Sequence, residues 1–147
     1  MKRSPKRIPL GSLFLAAFLM LGGCGEDGTI VMDGDLTATE AVAMILENAN
    51  DENFVVIDAR TASEYETGHI DGAINMDYMS GAFENDLGEL DTSKKYLLYC
   101  ASGARSTRAA ELMGDAGFPH VYKVTDGYAV IALAYDAQTI IACMPPR

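Results

Sequence analysis

The apolar run Tyr96-Leu97-Leu98-Tyr99 ends at Cys100, and a short stretch of small residues with one cation follows, Ala101-Ser102-Gly103-Ala104-Arg105 and then Ser106. A thiol that closes a strand and opens a glycine-bearing turn into a helix sits where backbone N–H groups and the positive end of the helix dipole converge. Such surroundings favour the thiolate, the nucleophilic form of cysteine. A second polar group, Asp58-Ala59-Arg60, follows the apolar run Phe54-Val55-Val56-Ile57 in the same manner. Two strand ends that both finish in chemistry-bearing residues predict a site at the carboxyl ends of the strands of a parallel sheet.

The elements that must hold these residues are marked by their own signals. Thr37 with Glu40, and Thr61 with Glu64, have the spacing of capping boxes. The first opens a helix to about Asn48 with Ala41, Val42, Met44 and Ile45 on its apolar face, and the second opens a short helix closed by Gly68. Residues 54–57 are apolar without alternation, as expected of a central parallel strand buried on both faces. Ala73-Ile74-Asn75-Met76, Val121-Tyr122-Lys123-Val124 and a first segment, Ile30-Val31-Met32, read as further strands. Residues 78–90 carry Met79, Phe83, Leu87 and Leu90 at helical intervals, interrupted by Gly81 and Gly88, whereas 105–116 present a cleaner face of Ala109, Leu112, Met113 and Ala116 that stops at Gly117. Strands alternating with helices predict an α/β domain, a central parallel sheet of about five strands flanked by helices on both faces. Residues 133–147 have no clear place in it.

The N-terminus reads as a separate module. Lys2, Arg3, Lys6 and Arg7 precede an apolar stretch over residues 10–21, the pattern of a secretory signal peptide, too short to span a bilayer comfortably. Leu21-Gly22-Gly23-Cys24 resembles the bacterial lipobox, which implies cleavage before Cys24 and its lipidation. The expected organisation is thus a leader over 1–23, a short tether over 24–29 and one domain over 30–147, held by lipid on a bacterial membrane outside the cytoplasm, on the periplasmic face in a Gram-negative cell. The mature chain would keep seven of the 11 basic residues and all 21 acidic ones, a formal charge of −14. So acidic a chain argues against nucleic acid as a partner and against a basic membrane-binding surface. With Cys24 lipidated, Cys100 and Cys143 remain in a compartment that tolerates disulfides, so a bridge between them stays open as an alternative; Cys143, beside Met144-Pro145-Pro146, carries no other signal.

Four segments now stand in one order: Ile57-Asp58-Ala59-Arg60, Gly68-His69-Ile70-Asp71-Gly72-Ala73-Ile74-Asn75, the Cys100 to Ser106 loop, and Gly117-Phe118-Pro119-His120-Val121-Tyr122. Together they resemble a single rhodanese domain. The resemblance implies a sulfurtransferase or persulfide carrier, with Cys100 taking sulfane sulfur from a donor such as thiosulfate or polysulfide and passing it to a thiol, to cyanide or to a thioredoxin-like protein. It also implies that the amides of Ala101, Ser102, Gly103, Ala104, Arg105 and Ser106 cradle the sulfur, that Arg105 adds positive charge at the rim, and that Asp58 and Arg60 support neighbouring loops. A direct role for Arg60 in drawing anions is the alternative. No general base is required, since a thiolate arrives already deprotonated; no cofactor is called for, and His69 has no ligand-spaced partners for a metal.

Other readings of the same residues remain. A cysteine phosphatase places arginine six positions after its cysteine, where this chain has Ser106, with Arg105 one residue too early. A rhodanese-like module that binds a partner without turnover, and a thiol redox protein using Cys100 with Cys143, are the other two. Two departures from the family pattern stand out. Asp126-Gly127-Tyr128-Ala129-Val130-Ile131 stands where the family often shows a Gly-Gly pair followed by an aromatic residue and tryptophan, in a chain without tryptophan, and neutral Ala101 and Ser102 occupy positions where thiosulfate-preferring members often carry a basic residue.

Overall fold

Both Thr-x-x-Glu pairs start helices in the computed structural model, which describes residues 34–142. The leader, Cys24, the tether, the strand expected at Ile30-Val31-Met32, and Cys143 lie outside the described residues. In chain order the elements are β1 (Gly34–Leu36), α1 (Ala38–Glu47), β2 (Phe54–Asp58), α2 (Ala62–Glu66), β3 (Ile74–Asn75), α3 (Ala82–Asp86), a 3-10 turn (Leu87–Glu89), β4 (Lys95–Tyr99), α4 (Ala104–Asp115), β5 (Val121–Val124) and α5 (Tyr128–Ala142). The strands form one five-stranded sheet in the order β1-β5-β4-β2-β3, with every neighbouring pair parallel. None of the described helices is long and apolar enough to cross a membrane.

Alternation along the strands divides the core in two. Ile57, Tyr96, Leu98 and Cys100 pack with Phe83 of α3 and with Ala109, Ala110 and Met113 of α4. Val56, Leu97 and Tyr99 point the other way, onto Ala41, Val42 and Ile45 of α1 and Ile131 of α5. Both groups are deeply buried, so the sheet is covered on each face as its unbroken apolar strands require.

Four boundaries differ from the sequence expectation. The helix expected over 78–90 is confined to α3 and the 3-10 turn, because the Asp77 carboxylate accepts from the Met79 and Ser80 amides and Gly81 takes φ +77°. The strand at 73–76 shortens to β3. Helix α4 begins at Ala104 after Gly103, so Arg105 and Ser106 belong to its first turn and not to a loop before it. Of the tail that had no clear place, residues 133–142 continue α5, which packs on α1 with Ile131 at 0% exposure.

Candidate active site

Cys100 stands one residue beyond β4, where the chain turns into α4. Its carbonyl accepts from the Tyr128 amide at 2.9 Å, which pins the turn to the start of α5. Gly103 holds φ +84°, and a Cβ there would land on the Thr125 carbonyl; a Cβ on Gly127 would land on the Ala101 carbonyl. Two glycines thus let the segment 101–103 press against the β5–α5 connection. The resulting curve aims the amides of Ser102, Arg105 and Ser106 at the sulfur, and Ser106 Oγ lies 3.5 Å from Cys100 Sγ. Burial opposes ionisation of this thiol, but these hydrogen bonds outweigh it and hold the Cys100 thiol below the usual cysteine range. Cys100 itself is 0% exposed, while Ala101, Ser102 and Ala104 around it are exposed. The sulfur therefore lies beneath a rim of small side chains instead of opening directly to solvent.

Arg105 divides its roles. Its amide serves the cradle, whereas its guanidinium donates to both oxygens of Glu64 in α2, at 2.7 and 2.9 Å. Arg105 holds the Glu64 carboxyl at about 2, with Thr61 adding two further hydrogen bonds to Glu64 Oε2 and partial burial opposing. The charge expected at the rim is therefore a paired one. Glu64 is the site residue that sequence reasoning missed: its capping-box spacing reports the bond to Thr61 and says nothing of a partner 41 positions away.

Asp58 and Arg60 stand on the opposite side of the sheet from the sulfur. Asp58 is in register with Tyr99, so Ala59 is the residue beside Cys100. The Asp58 carboxylate accepts from Arg60 Nε at 3.1 and 3.0 Å and from Arg60 Nη2 at 2.7 Å; Nη2 also donates to the Gly68 carbonyl at 2.5 Å. The Arg60 guanidinium lies 3.6 Å from the centre of the Tyr128 ring, and the residue is 3% exposed. So enclosed, Arg60 has no face left for an incoming anion. It ties β2, the α2–β3 connection and α5 together.

Residues 37–134 match the rhodanese-like domain. The chain belongs to the rhodanese-like domain family. A tRNA uridine(34) hydroxylase of Erwinia tasmaniensis is 34% identical over 98 residues, covering 63% of this chain and 26% of that protein. A tRNA sulfurtransferase of Thermoplasma volcanium is 36% identical over 92 residues, covering 63% and 16%. The chain thus spans about a quarter or less of the length of these relatives. Among solved structures, a Rhodopseudomonas palustris protein of unknown function, described as a possible tyrosine phosphatase, is 28% identical with a TM-score of 0.57, covering 68% of this chain and 80% of that one.

In this rhodanese-like domain the segment Asp126-Gly127-Tyr128, which departs from the family pattern, has three separate functions. The Asp126 carboxylate accepts from the Ala38 amide at 2.7 Å and so caps α1 from a distance. Gly127 allows the close approach to Ala101, and Tyr128 covers Arg60. Ile131 fills the apolar slot beneath. His69 stacks on Tyr65 at 3.8 Å with Nδ1 3.1 Å from the Tyr65 carbonyl, a turn-holding position, and no group of three metal-ligating side chains converges among the described residues.

Proposed function

We propose that this rhodanese-like domain is a sulfurtransferase or persulfide carrier working through Cys100. The observation that carries the reading is the convergence of three amides and the Ser106 hydroxyl on one buried sulfur, enough to favour its anion despite desolvation. In the first step the Cys100 thiolate attacks the outer sulfur of a sulfane donor. A new Sγ–S bond forms, the donor's S–S bond breaks, and its electron pair leaves as sulfite or as a thiolate. In the second step a thiol in its anionic form, or cyanide, attacks the outer sulfur, and the electron pair returns to Cys100 Sγ. No general base is needed in either step.

A persulfide adds a sulfur about 2.05 Å beyond Sγ, and the neighbouring side chains of Ala101, Ser102 and Ala104 are small and exposed. The sulfurtransferase name of one relative supports sulfur chemistry in this domain. The phosphatase description of the Rhodopseudomonas protein favours a second reading, and two features weigh against it here. Ser106 stands where phosphatase chemistry needs its arginine, and the guanidinium of Arg105 is held by Glu64. The lipobox resemblance at Cys24 supports work outside the cytoplasm at a membrane surface, with small sulfane donors or a thioredoxin-like protein as partners.

Mass spectrometry after incubation with thiosulfate or polysulfide tests the proposal. The expected result is a gain of one sulfur on wild-type protein, none on Cys100→Ser, and release of that sulfur to cyanide as thiocyanate. Absence of any gain with every sulfane donor would overturn turnover and favour a binding module; a reversible loss of two hydrogens between Cys100 and Cys143 would favour a thiol redox protein.

A further inference from the structure

Arg105 is the one cation in the segment 100–106, and its guanidinium is not free. Glu64 grips both terminal nitrogens in the two-pronged geometry that matches a carboxylate to a guanidinium. The carboxylate is itself fixed, because Glu64 Oε2 accepts from the Thr61 amide at 3.0 Å and from Thr61 Oγ1 at 2.9 Å. Helix α2 thus holds the cation of the cradle in a rigid pair. Of the other arginines among the described residues, Arg60 is enclosed by Asp58 and Tyr128, and Arg108 is exposed in the next turn of α4.

We propose that Glu64 is a specificity-determining residue, keeping the charge of Arg105 paired so that the cradle favours organic persulfides and hydropolysulfides over thiosulfate. The inference rests on the persulfide reading of Cys100. With thiosulfate, a thiolate meets a dianion and a sulfite dianion must leave, so three negative charges gather where the one cation of the segment 100–106 is already paired with Glu64. A persulfide R–S–SH differs. Attack on its outer sulfur forms Cys100–S–SH and breaks the R–S–S linkage; the electron pair leaves on R–S⁻, and the proton stays on the transferred sulfur. The reacting groups carry one negative charge when the donor is protonated and two when it is ionised, fewer in either case than with thiosulfate, and the amides and the Ser106 hydroxyl face that charge. Because the Glu64 carboxyl lies at about 2, the pair stays intact across the range in which thiolates act.

The test is the rate constant for persulfidation of Cys100 in the full chain, read by timed mass spectrometry with thiosulfate and with glutathione persulfide. In Glu64→Gln the thiosulfate-to-persulfide ratio should rise about tenfold, because Arg105 loses its counter-charge. The rise should shrink in high salt and vanish when Arg105→Ala is added. Glu64→Asp, too short to reach both nitrogens, should shift the ratio the same way by less and serves if Glu64→Gln does not fold. A ratio that does not change in folded variants, or a rise that survives Arg105→Ala, overturns the assignment to Glu64 and leaves sulfur transfer standing. Failure of wild-type Cys100 to gain sulfur from either donor overturns both.

Discussion

Ser106 has one hydroxyl proton and three acceptors within reach: Cys100 Sγ at 3.5 Å, the Gly103 carbonyl at 3.0 Å and the Val124 carbonyl at 3.3 Å. An anionic sulfur competes best for that proton, so the hydroxyl turns towards Sγ as the thiol ionises. Ser106→Ala should therefore raise the pKa of Cys100, and Ser106→Thr should largely preserve it. The check is the pH profile of iodoacetamide alkylation, whose midpoint moves upward in the alanine variant, with the rate at neutral pH falling roughly threefold to tenfold. The sign for stability follows from the same shift. A thiol whose folded pKa is depressed adds stability above the pH at which an unfolded cysteine ionises, and that contribution is lost as pH falls through the folded value. At this scale the strand–turn–helix context of Cys100 was legible in the sequence, because each of its signals is local. Glu64 was not, since an ion pair between α2 and α4 leaves no trace in the spacing of either partner.

At the scale of elements, the turn from β4 into α4 depends on glycine twice, and Gly103 is the sharper case. It combines φ +84° with backbone atoms of Thr125 where a side chain would start. Gly103→Ala should cost about 2–4 kcal/mol in chemical denaturation and return the thiol towards ordinary reactivity, because the segment must lift off the β5–α5 connection and its amides lose their aim. Equal alkylation profiles in a folded Gly103→Ala variant would show that the glycine does not set the cradle. Both capping boxes, β2, β4 and β5 were legible because their signals lie within a few residues. The break before α3 was not, since it depends on how Asp77 folds back on its own amides. The start of α5 was hidden too, because Asp126, the nearest capping residue, serves α1 instead.

At the scale of the molecule, α5 completes the face that α1 begins, and Ile131 is its fully buried contact. Ile131→Ala should destabilise the protein by about 2–5 kcal/mol, measured in urea, while a folded sample keeps the alkylation pH profile of wild type, because Ile131 lies across the sheet from the sulfur. A shifted profile would show that the two faces are coupled. The parallel sheet and its helical cover were legible from the alternation of elements, whereas the strand order and the sidedness of Asp58 needed the register with Tyr99. Stepping by one residue from Tyr99 to Cys100 exchanges a brace for the proposed nucleophile. The sheet is in that sense a partition. Arg60 and Tyr99 brace one side of it and the Ser106 hydroxyl meets the sulfur on the other, with the Tyr128 amide tying the two sides together at the Cys100 carbonyl.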